Sequence, residues 1–138
     1  MIPTSNRDEC DFSKATICRA QNCNRNGVWC PKTNDIPREQ IEILFNYTTD
    51  IYVMETQGRV FKDEMVNTFL FQHLNDSGSL LSHLYRIETR NSSVVSKFIF
   101  EPPLRTNYVR ITPIEYDGSI AMRFELYSKG VLYNPTDE

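Results

Sequence analysis

Residues 107–127, NYVRITPIEYDGSIAMRFELY, alternate between apolar and polar positions in two runs. In the second run Ile120, Met122, Phe124 and Leu126 fall on one side, and Ala121, Arg123, Glu125 and Tyr127 on the other. In the first, Val109 and Ile111 share a side. A period of two is that of a strand with one face buried. Asp117-Gly118 between the runs is a turn signal, so the stretch predicts a β-hairpin.

The same period recurs upstream. Residues 39–45 place Ile41, Ile43 and Phe45 together, and the apolar run at 51–54 suits a strand covered on both faces. Residues 46–50 read as a polar turn joining the two. Residues 65–74 set Phe69 and Phe71 against Val66, Thr68 and Leu70, and Asn75-Asp76-Ser77-Gly78 ends the run. Residues 80–89 read as a strand with Leu84 and Tyr85 leading its two faces, although Leu80, Leu81, Leu84 and Ile87 would also suit a short helix. After a turn at 91–93, Val94, Phe98 and Phe100 share a face. Pro102-Pro103 is expected to stop that strand, because proline brings no N–H to a ladder. Seven or so short strands separated by turn signals predict an all-β sandwich or barrel.

A chain of 138 residues fits one domain with a real core. Its expected limits are residues 10–128, with a loose polar terminus at 1–9 and a polar tail at 129–138. The net charge of −3 gives no electrostatic footprint for nucleic acid or an anionic membrane surface. No apolar run is long enough to span a bilayer, and the first residues lack the apolar core of a secretory signal. The chain is therefore expected to be either intracellular or a piece of a longer secreted or membrane-anchored protein.

Cysteines and sequons favour the second. Cys10, Cys18, Cys23 and Cys30 lie close together, and four cysteines allow three pairings. Their spacings of seven, four and six intervening residues do not match the paired knuckles of common zinc modules, so two local disulfides are the expectation. Asn46, Asn75 and Asn91 each head an Asn-x-Ser/Thr sequon. Together these predict an extracellular setting.

Catalytic constellations are missing from the sequence. His73 and His83 are the only histidines, and neither has sequence neighbours suited to a triad. There is no glycine-rich phosphate loop and no His-Glu-x-x-His pattern, and adjacent acids such as Asp63-Glu64 are ordinary solvated loop charges. Carboxylates such as Asp35 or Asp117 could coordinate calcium, but the spacing does not call for it. The chain reads as a binding module without a cofactor.

Several phrases, taken in order, resemble one family. Gly27-Val28-Trp29-Cys30-Pro31, Thr56-Gln57-Gly58-Arg59 after an apolar strand, Glu101-Pro102-Pro103, and the Val109-Arg110-Ile111 and Met122-Arg123 to Tyr127 strands look like the discoidin (coagulation factor V/VIII type C) domain. The wording is nearest to its collagen-receptor members. The resemblance implies a jelly-roll β-sandwich of about eight mainly antiparallel strands, with binding loops gathered at one end. It further implies recognition of an extracellular protein ligand, collagen among the candidates, through the loops at 18–30 and 57–64, with Asn26, Trp29, Gln57, Arg59 and Glu64 as contacts. The fold also supports carbohydrate- or phospholipid-head-group-binding modules, and a domain that pairs with other parts of its own longer chain.

The residues themselves allow quieter roles. Trp29, the only tryptophan, also suits a core plug. Arg59 can pair with a ligand carboxylate or with its own Glu64 or Asp63. Val60 and Phe61 at a loop tip either fold inward or insert into a partner or bilayer interface. The family's usual late cysteines are replaced here by Ala121 and Ser128, so any bridge is confined to the N-terminal stretch.

Overall fold

The computed structural model describes residues 1–18, 23 and 26–128. The tail at 129–138 and most of the stretch between Cys18 and Asn26 lie outside the described residues. Six strands are described: β1 (Ile2–Pro3), β2 (Ile41–Gln57), β3 (Met65–Leu74), β4 (Leu80–Arg86), β5 (Ser96–Asp117) and β6 (Arg123–Ser128). Phe12–Lys14 forms one 3-10 turn, capped by the Asp11 carboxylate.

The sheet order is β1-β2-β5-β3-β4, with β6 added on β2, and every pairing is antiparallel. β2 and β5 form one long ribbon. The first part of β2 pairs with the second half of β5 (Ile43 opposite Val109), and its last part pairs with the start of β5 (Val53 opposite Ile99). One end of this ribbon carries β3 and β4, and the other carries β6. The ribbon folds over so that Phe69 of β3 meets Phe98 of β5 edge-on, with ring centroids 5.9 Å apart. Counting the two halves of β2 and of β5 separately recovers about eight strands, as expected.

The core fills the space between the layers. Trp29, Phe69, Phe71, Ile41, Ile51, Met54, Val109, Ile111, Ile120 and Met122 are buried and form one cluster. The faces read from alternation hold for Phe69, Phe71, Val109 and Ile111, because a pleat sends alternate side chains to opposite sides. Residues 80–86 form a strand rather than a helix, with Leu84 outward and Tyr85 half-buried.

Three local expectations are corrected. The 107–127 hairpin does not form. Gly118 does make a turn, at φ +71°, but β5 already gives its two edges to β2 and β3, and β6 pairs with β2 instead. Pro102-Pro103 does not end a strand. Between the Val53–Ile99 and Ile51–Leu104 pairs lies a register shift, and the prolines sit within it, where no ladder N–H is required. The turn at 46–50 is likewise a shift inside β2, between Leu44 and Thr49, that leaves Asn46 and Tyr47 exposed.

Within the first nine residues, expected to be loose, residues 2–5 are tied down. Ile2 and Pro3 pair with Glu42 and Ile41, and the hydroxyls of Thr4 and Ser5 donate to the carboxylate of Glu39 at 2.6 and 2.8 Å. Thr33 donates to its second oxygen. Burial pushes the Glu39 carboxyl upward, but these donors and Arg38 together bring it below its ordinary value.

His73 of β3 is buried against Phe71, and its ring stacks on that of His83 with centroids 5.6 Å apart. Burial, and then the charge of His83, lower its pKa from 6.5, against a smaller opposing effect from the Leu74 backbone. Above 6.5 both folded and unfolded chains keep this ring neutral. As the pH falls through 6.5 the unfolded chain takes up the proton first, so stability declines until the folded value is passed. Urea midpoints measured across this window should fall with pH in the natural protein and fall less in His73→Leu. Equal slopes would show that His73 does not carry the dependence.

Candidate functional site

Around residues 57–64 and the described ends of the 18–30 stretch, the way the chain is fastened separates frame from surface. Residues 15–18 are held along β6 and β2. The Phe124 amide donates to the Ala15 carbonyl at 2.9 Å, Arg123 Nη1 to Thr16 O at 3.2 Å, and the Ile17 amide to Glu125 Oε1 at 2.9 Å. Gln57 then grips Cys18. Its Oε1 accepts from the Cys18 amide at 2.7 Å, and its Nε2 donates to the carbonyls of Cys18 and Ser93 at 3.0 and 2.8 Å.

Beyond Gln57 the chain turns tightly. A Cβ at Gly58 would come within 2.7 Å of Glu64 O and of Met65 Cβ, which is why glycine stands there. Arg59 and Glu64 close the turn through the Arg59 amide on Glu64 O at 2.8 Å and Arg59 Nη1 on Glu64 Oε1 at 3.1 Å. Arg7 adds a second guanidinium to the same oxygen at 3.3 Å. The Ser92 hydroxyl donates to Lys62 O at 3.0 Å, fastening the turn to the segment after β4. The Gly118 turn presses on its other side, where a Cβ would lie 2.4 Å from Asp63 O.

The sequence-derived site residues are thus distributed unevenly. Trp29 is wholly buried, exchanges backbone hydrogen bonds with Met122, and donates from Nε1 to Ser5 O at 3.0 Å. Gln57 and Arg59 are buried, and Glu64 is half-buried between two arginines. Asn26 is exposed, and its carbonyl accepts from the amides of Asp11 and Val28. Val60 is half-buried, while Phe61 at the tip is 42% exposed. Cys10 pairs with Cys30 and Cys18 with Cys23. Of the sequon asparagines, Asn46 and Asn91 are exposed and Asn75 is half-buried, with Asn75 Oδ1 accepting from the amides of Ser77 and Ser79.

Two features escaped the sequence reading. Arg123 belongs by alternation to the polar side of its strand, yet it is only 1% exposed because residues 15–18 cover it. Burial, with Arg59 adding like charge, lowers its pKa. The second is a polar recess beside the Gly118 turn, lined by the ends of β3, β4 and β5, including Asn67, Thr68, Arg86, Arg90, Glu115 and Asp117. Only Asp117-Gly118 was visible in the sequence as a turn at this end. Among the described residues no group of three or more His, Cys, Asp or Glu side chains is placed to hold a metal ion. Among the described residues no helix is long and apolar enough to cross a membrane.

A curled antiparallel sandwich with its loops braced at one end defines a β-sandwich binding module. The F5/8 type C domain matches residues 11–126, and the chain belongs to that family. It is 28% identical over 110 residues to mouse coagulation factor VIII, covering 74% of this chain and 5% of that protein. Among solved structures, discoidin II of Dictyostelium discoideum superposes with a TM-score of 0.77 at 16% identity, over 92% of this chain and 54% of that one. The family 32 CBM of Clostridium perfringens NanJ, solved in complex with galactose, superposes at 0.68 and 16% identity, over 90% and 91% of the two chains. The chain therefore spans about half of the discoidin II chain and a small fraction of factor VIII.

Proposed function

We propose that this domain is an extracellular, non-catalytic recognition module that binds a protein ligand through the loops at 18–30 and 57–64, with fibrillar collagen among the candidates. The observation that carries this reading is Phe61, a large apolar ring 42% exposed on a turn braced by Arg7, Arg59, Glu64 and Ser92. An aromatic group held on a rigid support loses little freedom on binding and suits the centre of a protein interface. Asn26 is the second outward group, whereas Gln57, Arg59, Glu64 and Trp29 act by holding the frame. The two disulfides and the sequons at Asn46, Asn75 and Asn91 support an oxidising, extracellular setting. The net charge of −3 argues against a membrane-surface role.

The test is binding to immobilised fibrillar collagen and to cell-derived matrix with and without protease treatment, with phosphatidylserine vesicles in parallel. Phe61→Ser should weaken protease-sensitive binding about tenfold or more while leaving the unfolding midpoint nearly unchanged. Arg59→Ala should lower both, because it removes half of the clamp on Glu64. Binding that survives protease, or that ignores Phe61→Ser, overturns the reading.

A further inference from the structure

We propose that the free edge of β4 is a self-association surface, on which a second copy of this chain pairs antiparallel to form a two-fold dimer. This goes beyond the ligand-binding reading and uses a different face of the sandwich. Among the described residues β4 is paired on one side only, with β3. Six of its seven residues are exposed, Leu80, Leu81 and Leu84 among them at 38, 42 and 62%. An open ladder recruits other strands, so edge strands are ordinarily guarded by proline, lysine or a bulge. Residues 80–86, LLSHLYR, carry none of these: the pairing with β3 runs without a register shift, and the one formal charge, Arg86, stands at the very end.

The two layers leave room for the second copy. The rings of Phe98 and Phe100 in the first part of β5 pack against Tyr85 and Phe71, with centroids 4.8 and 5.6 Å apart, so the second layer ends beneath β4. Leu81 and His83 share the inner face of β4 with Tyr85, yet both stay exposed over a recess of about 530 Å³ that also borders Ile99 and Phe100. A second β4 can therefore lie beside the first without displacing that layer, and the inward side chains of both copies cover the gap.

The strand that fits this edge is its own. Full overlap of the seven residues places His83 on the two-fold axis, with Leu81 opposite Tyr85 and Leu84 opposite Ser82 of the other copy. Leu84, the most exposed of the three leucines, then has Leu80 and Leu84 of the other copy as diagonal neighbours. Antiparallel pairing also carries Arg86, whose side chain is 67% exposed, toward the end of the other strand that follows exposed Asp76. The two ends are thus opposite in charge, and the axis repeats the match. Seven paired residues make a contact about 24 Å long, the scale of a small interface, so the dimer should be of micromolar strength. It also has a functional geometry. Arg86 lies opposite Thr68, near the start of β3 and the 59–64 turn before it. Antiparallel copies point these ligand ends in opposite directions, so the dimer would bridge two ligand-bearing surfaces.

Sedimentation velocity over protein concentrations on the order of 1 to 300 μM tests this. A monomer–dimer equilibrium should appear, weakened about tenfold or more in His83→Glu and in His83→Lys, because each variant sets like charges across the axis. An equimolar mixture of the two variants should restore the dimer, since opposite charges then meet there. His83 is exposed, so both variants should keep the natural unfolding midpoint in urea. Leu44→Ser, at a leucine 60% exposed on β2, and Phe61→Ser at the ligand loop should leave the dimer unchanged. A monomer at every concentration would overturn the proposal and leave the edge to a strand from elsewhere in a parent chain or from another protein. A dimer that persists in both His83 variants, or that their mixture does not restore, would overturn it by placing the contact elsewhere. None of these outcomes bears on the ligand reading, which Phe61→Ser tests separately.

Discussion

Trp29→Ala should unfold the domain or leave it barely folded, not produce a folded protein with a blunted binding loop. The Trp29 side chain is wholly buried within the main core cluster, so truncation removes its transfer energy and leaves a cavity that neighbours fill only in part. Such a change costs about 3–5 kcal/mol, against a total of about 5–15 kcal/mol for a typical domain. The Trp29 backbone also bridges to Met122, and its indole nitrogen holds Ser5, so the N-terminal segment should loosen with it. Trp29→Phe keeps most of the ring and should remain folded, with a smaller loss from the missing donor. Urea unfolding followed by circular dichroism measures both. A Trp29→Ala protein with near-natural stability and lost binding would instead place this ring at the ligand.

The contrast between Trp29 and Phe61 shows what sequence pattern can carry. Alternation identified most strands because a pleat imposes a period of two wherever one side faces a core. It fixed the two sides of the strand holding Arg123 but not the cover on the second side, which comes from residues more than a hundred positions earlier. Pairing was less legible still. The 107–127 stretch has hairpin periodicity and a working turn at Gly118, yet strand neighbours are decided by which edges remain open, and β2 and β3 occupy both edges of β5. Pro102-Pro103 misled for a related reason: a missing donor matters only where a ladder needs one, and the register shift removes that need. The Arg59–Glu64 clamp was readable as one of two roles, since both residues lie in one loop. The recess was not readable, because Asn67, Arg86 and Asp117 meet only after three strands have paired.

The two disulfides should prove unequal when each is removed. Cys10 and Cys30 are 20 positions apart, and closing such a loop restricts the unfolded chain by about 3 kcal/mol; the 5-position Cys18–Cys23 loop restricts it by about 2 kcal/mol. Packing widens the gap. Cys10 and Cys30 are buried with Val28 and Ala121 in a second core cluster, and Cys30 O accepts the Arg7 amide at 2.7 Å, so this bridge lies between the N-terminal segment and the Trp29 bridge to Met122. Cys18 instead ends the strap that Gln57 grips, and that grip does not depend on the sulfur. The Cys10→Ala/Cys30→Ala variant should therefore lose the larger share of stability in urea. The Cys18→Ala/Cys23→Ala variant should keep most of its stability and lose binding at the loop end, since the bridge fastens Cys23 to the same Cys18 that Gln57 grips. Equal losses of stability would mean that the Cys18–Cys23 loop supports the core as well as the binding surface, and the separation of frame from surface at this end of the sandwich would have to be redrawn.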